Sequence, residues 1–385
     1  MDRAVKLSGA ETGGSIARLV IVLPGLGAGG SEHVVSIIAN HWAHLGHDVT
    51  ILTLEPPGSY AYYALSPSIR VIRLGVPPQR ASGWKAAWLA LQRVRRMRRE
   101  IRSIRPDFVL SFLTRTNVLS LIATFGTGIA TIVSERNNPG VQPFGALWKW
   151  LQKWLYPRAF GLITMTRGAL EFFPPRMRKR SWVIPNAVDL PSTWVNRRGG
   201  NVLTAVGRLT HQKGFDLLLD AFAKIAASFP DWTLVIWGEG EDRRQLEDRR
   251  KTLGLEGRVD LPGITAKPGQ WVETANVFVL SSRYEGWGIV LLEAMAAGLP
   301  VVSFNCDFGP SEMVEHGQDG LLVAPENVDA LAEAMAQLLR DKQLRERLSA
   351  NAVRTALRYT PECVLAEWDG VLRDVLADRI QKVTA

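Results

Sequence analysis

The stretch Ser281–Met295, SSRYEGWGIVLLEAM, places Glu285 and Glu293 eight positions apart in an otherwise apolar run. On one continuous helix, eight steps of about 100° leave the two carboxylates about 80° apart, on no common polar face. Gly286 and Gly288 break the run instead. Glu285 is therefore expected to end a loop, and Glu293 to lie one or two turns inside a helix starting near Gly288. With VFVLSS before it and PVVSF after it, the unit reads strand, loop, helix, strand, the alternation of a parallel α/β sheet.

The same alternation extends in both directions. RLVIVLPG, HDVTILTL, SIRVIRLG, DFVLSFL, ATIVSER and GLITMT read as strands of a first parallel sheet, with EHVVSIIANHWAHLG as its first crossover helix. NVLTAVGR, WTLVIWGEG, RVDLPG, VFVLSS, PVVSF and GLLVAP form a second series, interleaved with helical pattern. The expectation is two doubly wound, Rossmann-like domains facing a cleft. They run over residues 17–185 and 200–355 and join within VIPNAVDLPSTWVNRRGG; helices at 356–385 pack back toward the first domain.

Composition narrows the class. A chain of 385 residues, 46% hydrophobic, has the length for more than one core. Two cysteines cannot form a disulfide scaffold, and no Cys/His group stands at zinc spacing, which fits a reducing compartment. The N-terminal MDRAVKLSGAETGGSIARL is polar and is not expected to be a signal peptide. The uncharged run Thr116–Ser134 holds enough Thr and Gly to read as a buried helix and strand rather than a membrane span. Charge is divided: residues 1–200 hold 26 Lys/Arg and 10 Asp/Glu, and the remainder 20 and 27, so net +16 faces net −7. The first half should meet something anionic.

Ligands of open parallel sheets bind beyond the carboxyl ends of the strands, which selects the loops that carry chemistry. GRLTHQKG puts Arg208 and Lys213 between a strand and a helix N-terminus, two cations suited to a diphosphate. No Asp-x-Asp pair is present to hold a divalent ion on that diphosphate, so no metal and no cofactor are expected, and the cations would do the neutralising. Gly29 and Gly30 of GLGAGGSEH let backbone amides approach an anionic or sugar group. The dinucleotide spacing with its ribose-binding acid is not matched, which excludes a nicotinamide enzyme. In RYEGWG the helix start offers amides at Gly286, Trp287, Gly288 and Ile289, Glu293 could accept both hydroxyls of a ribose, and Glu285 would reach a sugar hydroxyl.

The pair Glu285 and Glu293 with seven residues between, followed by AMAAGLPVV, together with GRLTHQKGFDLLLDAF, PNAVD and EMVEHGQDGLLV, resembles family 4 of the retaining glycosyltransferases, which have the GT-B fold. The resemblance runs from about residue 18 to about residue 355. It implies a nucleotide sugar, taken to be a UDP-sugar, bound between the domains: Arg208 and Lys213 hold the diphosphate, Glu293 the ribose and Glu285 the sugar, with Glu285, Arg208 and Lys213 as the catalytic set. It assigns VDLPG, including Pro262, to the nucleobase, and implies that no metal is needed. Where many members carry a His or acidic residue after the fourth strand, this chain has SFLTRTN, so Arg115 or Asn117 is expected to line the acceptor site. The implied chemistry is transfer of a hexosyl or N-acetylhexosaminyl residue to a polyprenyl-diphosphate-linked saccharide in bacterial surface polysaccharide or glycan assembly.

SERNNP places Glu135 and Arg136 after a strand on the acceptor side, as acceptor groups or equally as a structural ion pair. WKAAWLALQRVRRMRREIRSIR, Trp84–Arg105, carries eight Lys/Arg and one acid; Trp84, Trp88, Leu91, Val94, Ile101 and Ile104 recur at helical spacing. With WKWLQKWLYPR and PPRMRKR it suits an anionic membrane surface, so a peripheral position on the cytoplasmic face of the inner membrane is expected. Two other functions are compatible with parts of this pattern. A nucleotide-sugar epimerase would share the fold. A nucleic-acid-binding protein would use the basic half but lacks clustered stacking aromatics, so no nucleic acid partner is expected. A glycosidase fails because acids placed on the same side of one ligand cannot flank a bond from opposite faces.

Overall fold

The apolar runs form two all-parallel sheets in a computed structural model that describes residues 16–27, 29–77, 83–141, 145–188, 200–265, 267 and 269–384. In the first half the order is β1 (Arg18–Leu23), α1 (Gly30–His44), β2 (Asp48–Thr53), β3 (Arg70–Arg73), α2 (Gly83–Ile104), β4 (Phe108–Phe112), α3 (Thr114–Thr124), β5 (Ala130–Ser134), α4 (Ala146–Leu155), β6 (Gly161–Thr164), α5 (Arg167–Glu171) and β7 (Ser181–Val183). The second half runs β8 (Val202–Val206), α6 (Phe215–Ala226), β9 (Thr233–Trp237), α7 (Arg243–Thr252), β10 (Val259–Gly263), β11 (Val277–Leu280), α8 (Ile289–Ala296), β12 (Val301–Phe304), α9 (Pro310–Met313), β13 (Leu321–Val323), α10 (Val328–Arg340), α11 (Lys342–Ala356) and α12 (Pro361–Thr384).

The first sheet is ordered β3-β2-β1-β4-β5-β6-β7 and the second β10-β9-β8-β11-β12-β13. Each therefore reverses its direction of growth beside its first strand, between β1 and β4 and between β8 and β11. That is where open α/β sheets hold ligands. The segments just past these four strands, loops and the first turns of the helices that follow, carry GLGAGG, TRTN, GRLTHQKG and SSRYEG. Strands such as β1 are buried over nearly their whole length because helices cover both faces, which is why they read as unbroken apolar runs.

On one face of the first sheet, α1 packs together with α12. Val364, Trp368, Val371, Leu372 and Val375 share a core with Trp42, Phe108 and Phe112, so the chain crosses back to the first domain at its end. The Trp368 ring lies 6.4 Å from Trp42 and 6.0 Å from Phe112, geometries in which aromatic pairs contribute about 0.5–1.5 kcal/mol each beyond area burial. Asp369 accepts from Trp42 Nε1 at 3.0 Å and sits 3.0 Å from His41 Nε2. On the other face lie α2, α3 and α4.

Two details differ from the sequence reading. The first sheet has a seventh strand, β7, three residues long and directly after the basic PPRMRKR, too short to carry a period of its own. The apolar stripe of α2 is divided: Met97, Ile101 and Ile104 pack on the sheet, whereas Trp84, Trp88 and Leu91 are exposed. The segment expected to join the domains lies, over 189–199, outside the described residues, as do residues 1–15. No helix among the described residues is long and apolar enough to cross a membrane.

Candidate active site

The loops after β8 and β11 are bolted to one another. Gly214 adopts φ 61°, and a Cβ there would stand 2.1 Å from the Ser281 carbonyl oxygen, so only glycine lets the two backbones approach. Across this contact Ser281 Oγ donates to Lys213 O at 2.9 Å, the Arg283 amide to Gln212 O at 2.8 Å, and Gln212 Nε2 to Tyr284 O at 3.1 Å. The Arg283 guanidinium grips Asp216 with two bonds of 2.8 and 2.7 Å. Burial by itself would raise the Asp216 carboxyl, but the bonds and charge of Arg283 outweigh it and hold the group below its ordinary value.

This clamp sets Lys213 against Glu285. Lys213 Nζ donates to Glu285 Oε1 at 2.6 Å, and Ser282 Oγ donates to the same oxygen at 2.7 Å. The two side chains are 15% and 7% exposed, so the pair is largely withdrawn from water. Arg208 is exposed and makes no hydrogen bond or ion pair among the described residues. The two cations expected to share one diphosphate thus differ: one is locked to a carboxylate and the other faces solvent.

Gly288, at φ 85°, precedes α8 and gives no side-chain cap; the Leu291 amide donates to Gly288 O at 2.9 Å, and the amides of Ile289 and Val290 have no acceptor inside the helix. Glu293 is the fifth residue of α8, one turn in, and Glu285 lies in the loop, the break read from the glycines. Burial pushes the Glu293 carboxyl up to about 7. From the loop after β2, Tyr63 comes near it: burial raises the Tyr63 phenol, and Tyr62, Glu32 and Glu293 raise it further. Tyr63 stacks on His33 of α1 with ring centroids 4.6 Å apart. Sequence reading missed Tyr63 because nothing marks the long connection after β2; its aromatic triplet of Tyr60, Tyr62 and Tyr63 is the one available signal.

At the base end, loops after β8, β9 and β10 nest closely. Gly238 donates to Gly263 O at 2.8 Å, and a Cβ on Gly238 would stand 1.8 Å from Gly207 O. Pro262 is exposed at the carboxyl end of β10. The Trp287 side chain is buried in the core that joins the halves, edge-on to Tyr359 at 5.3 Å, which leaves its backbone amide as the group it can offer a ligand.

In the first half, Gly29 precedes α1 and Gly30 opens it. Glu55 reaches beneath the loop, its Oε1 accepting from the Leu26 amide at 3.0 Å. Glu32 is raised by burial, against the pull of a backbone hydrogen bond, and by Glu55. Of the four residues expected on the acceptor side, three are buried. Asn117 and Glu135 are fully buried, with Thr114 Oγ1 donating to Glu135 at 2.7 Å, Tyr156 OH donating to it, and Asn117 Nδ2 donating to Ser134 O at 3.0 Å. Arg136 is buried as well: it donates to Ile184 O at 3.0 Å and to Asn186, lies over the Trp368 ring, and is lowered by burial to about 9. Most of their polar atoms are bonded within the loop region, while Asn117 Oδ1 and Arg136 Nε find no partner among the described residues. Arg115 is the exposed member, over the Trp148 ring at 5.6 Å.

The two halves meet at this loop. A Cβ on Gly286 would stand 2.9 Å from Met165 Cε and 3.2 Å from Asn137 Cα, so the loop of Glu285 abuts the exposed Asn137 of the first half. Nearby, the Glu312 carboxylate accepts from the amides of Arg167 and Gly168, both at 2.9 Å, across the domain boundary. Among the described residues no group of three or more His, Cys, Asp or Glu could hold a metal ion.

Comparison with known proteins agrees with this layout. Residues 29–187 match the model described as Glycosyl transferase 4-like domain, and residues 192–355 match Glycosyl transferases group 1. A relative at 25% identity, over 93% of this chain and 99% of its own length, is an α-1,4-N-acetyl-D-galactosaminyltransferase of Campylobacter jejuni named for an acceptor saccharide on PP-undecaprenol. Among solved structures, sucrose-phosphate synthase from Thermosynechococcus elongatus superposes with a TM-score of 0.82 at 20% identity, covering 94% of this chain and all of that one. A protein of Anabaena in complex with UDP and glucose gives 0.74 at 21% identity, covering 93% and 99%. The chain belongs to the family 4 type of GT-B glycosyltransferases and is a glycosyltransferase.

Proposed function

We propose that the enzyme transfers a hexosyl or N-acetylhexosaminyl residue, with retention, from a UDP-sugar to a polyprenyl-diphosphate-linked saccharide in bacterial surface polysaccharide or glycan assembly. The observation that carries the donor side is the buried Lys213–Glu285 pair beside exposed Arg208 and the uncapped start of α8, all at the carboxyl edges of β8 and β11. A diphosphate laid there meets two cations and a helix N-terminus, which together neutralise charge as its bond to the sugar breaks. No metal is required by this arrangement.

Glu293, one turn into α8, takes the ribose hydroxyls, and Glu285 a hydroxyl of the sugar. The bond from the anomeric carbon to the phosphate oxygen breaks while a bond forms on the same face to the acceptor hydroxyl. The proton of that hydroxyl passes to the departing phosphate oxygen, so no protein nucleophile is needed. Support for the acceptor class comes from the relative named for a PP-undecaprenol saccharide, and support for UDP from the neighbour solved with it. The exposed tryptophans and cations of α2 and α4 support a peripheral position on the cytoplasmic face of the inner membrane.

The test is a panel of UDP and GDP sugars screened for thermal stabilisation, then for nucleotide release with polyprenyl-diphosphate saccharides. UDP release only when acceptor is present supports transfer; interconversion of donor sugars without acceptor would make the enzyme an epimerase.

Glu293 yields a pH prediction. Its folded value, about 7, lies above the ordinary carboxyl range, so between about pH 4.5 and 7 the folded protein holds a proton that the unfolded chain has released. Stability is therefore lowered as pH rises through that window. Glu293→Gln should melt higher than the parent protein above pH 7 and equally at pH 4. Because the carboxylate is the form that accepts both ribose hydroxyls, donor KM should rise as pH falls below 7 in the parent and stay flat in the variant. A parallel KM profile in both would remove Glu293 from ribose binding.

A further inference from the structure

On the outer face of the first domain α3 packs against both α2 and α4, and the solvent side of this layer is apolar and cationic. Trp84, Trp88 and Leu91 of α2 are exposed, as are Leu147, Trp150 and Trp154 of α4, a helix with no buried side chain. Between the end of α3 and α4 runs an open groove of about 700 Å³. Ile122, Phe125, Trp150, Leu151, Trp154 and Leu155 line it, with Arg98 and Arg158 at its margins. Both arginines are committed to carbonyls: Arg98 donates to Ala123 O and Phe125 O at 2.8 and 2.7 Å, and Arg158 to Trp154 O. Capping helix ends in this way, they add positive field but leave the groove itself hydrocarbon.

The groove lies along the C-terminal parts of α3 and α4. At the other end of α4, Trp148 lies beneath Arg115, which stands in the first turn of α3 just past the carboxyl end of β4. Arg93 feels the Arg115 charge, which with burial lowers its guanidinium, but it is committed to backbone: Nε donates to Val76 O at 3.0 Å and Nη2 to Pro77 O at 2.7 Å. Thr114 is tied to Glu135, and the loop after β5 reaches Gly286. Hydrocarbon, cations and sugar site thus follow one another along a single surface path. That is the order of the three chemistries in a lipid carrier joined through a diphosphate to a saccharide.

We propose that this groove holds the hydrocarbon chain of the polyprenyl-diphosphate acceptor, with the diphosphate beside the exposed Arg115. The assignment rests on the function proposed above. Charge complementarity selects an anionic lipid: α2 carries seven basic residues and one acid, Glu100, already paired with Arg99 at 3.1 Å, and α4 carries Lys149 and Lys153 and no acid. Trp150 and Trp154, one turn apart on α4 with ring centroids 6.3 Å apart, form one side of the groove, and Ile122 and Phe125 at the end of α3 also line it, an apolar trough of a width that suits a hydrocarbon chain.

The test uses the full chain in detergent micelles with a polyprenyl diphosphate that carries a diazirine in its chain and no sugar. Cross-links are expected within residues 146–158, competed by unlabelled polyprenyl diphosphate and not by phosphatidylglycerol. Labelling elsewhere overturns the proposal, as does equal competition by phosphatidylglycerol, which would make bulk lipid the occupant. A second arm measures transfer by a Trp150→Ala, Trp154→Ala double variant to acceptors that differ only in chain length. KM for the long chain should rise about tenfold or more, since two apolar contacts are lost, while the short-chain acceptor and stabilisation by UDP are unaffected. Equal effects on both acceptors would defeat the assignment. Cross-linking needs no turnover, so failure of transfer to every polyprenyl acceptor would sink the proposed function without deciding the groove.

Discussion

Glu285→Ala is expected to lower kcat by about 100- to 1,000-fold, the scale on which removing one positioned electrostatic group from a reacting centre is felt, with a smaller change in donor KM. The carboxylate also has a structural share, because its Oε1 accepts from both Lys213 and Ser282. Its removal strands a largely buried ammonium, and breaking such a pair from one side costs about 3–5 kcal/mol. Loss of activity alone would therefore be ambiguous. The double variant Lys213→Met, Glu285→Leu separates the two shares: replacing both partners with apolar groups should return the melting temperature close to that of the parent, because a buried pair contributes little net stability over well-packed hydrocarbon. Turnover should stay lost. Steady-state kinetics and thermal melts on the three proteins decide it, and recovery of turnover together with stability would reduce Glu285 to a structural part.

Gly214→Ala should cost about 3 kcal/mol or more in stability and raise donor KM at least tenfold, because a strained backbone and a forced separation act at one point. At φ 61° an alanine is disfavoured, and its Cβ would stand 2.1 Å from a backbone oxygen that has no rotamer by which to move aside. The loops after β8 and β11 must part. Lys213, next in the chain, would then lose its place against Glu285. Gly254→Ala is the control: φ is 65°, yet nothing lies within 4 Å of the added carbon, so only the conformational term, about 1 kcal/mol, is expected. Equal losses in the two variants, read by thermal melts, would show that the Ser281 contact carries no weight.

The placement of the residues read as donor-binding was legible because they are local to their motifs. Glu285, Gly288 and Glu293 lie within one loop and one turn of helix, and Arg208 and Lys213 within one loop, so spacing and glycine position alone predict their placement. The acceptor half was not legible for the opposite reason. SERNNP and TRTN have the composition of a ligand loop, but Glu135 finds Thr114 and Tyr156, the latter 21 positions along the chain, and Arg136 finds Ile184, 48 positions on. Such distant partners turn a polar cluster into internal bracing, and no local pattern announces them.

What the sequence by itself determined is the architecture: apolar runs of strand length alternating with helical pattern lead to two parallel sheets, and turn residues just past the strands mark where chemistry sits, because periodicity and glycine freedom are local properties. Tertiary structure alone decided which polar residues keep their reach to a ligand. It brought Lys213 within 2.6 Å of Glu285, sealed Asn117, Glu135 and Arg136 inside the first domain, and left half of the apolar stripe of α2 in solvent. The reason is that burial and pairing are properties of the whole packing, set by residues tens of positions apart in the chain.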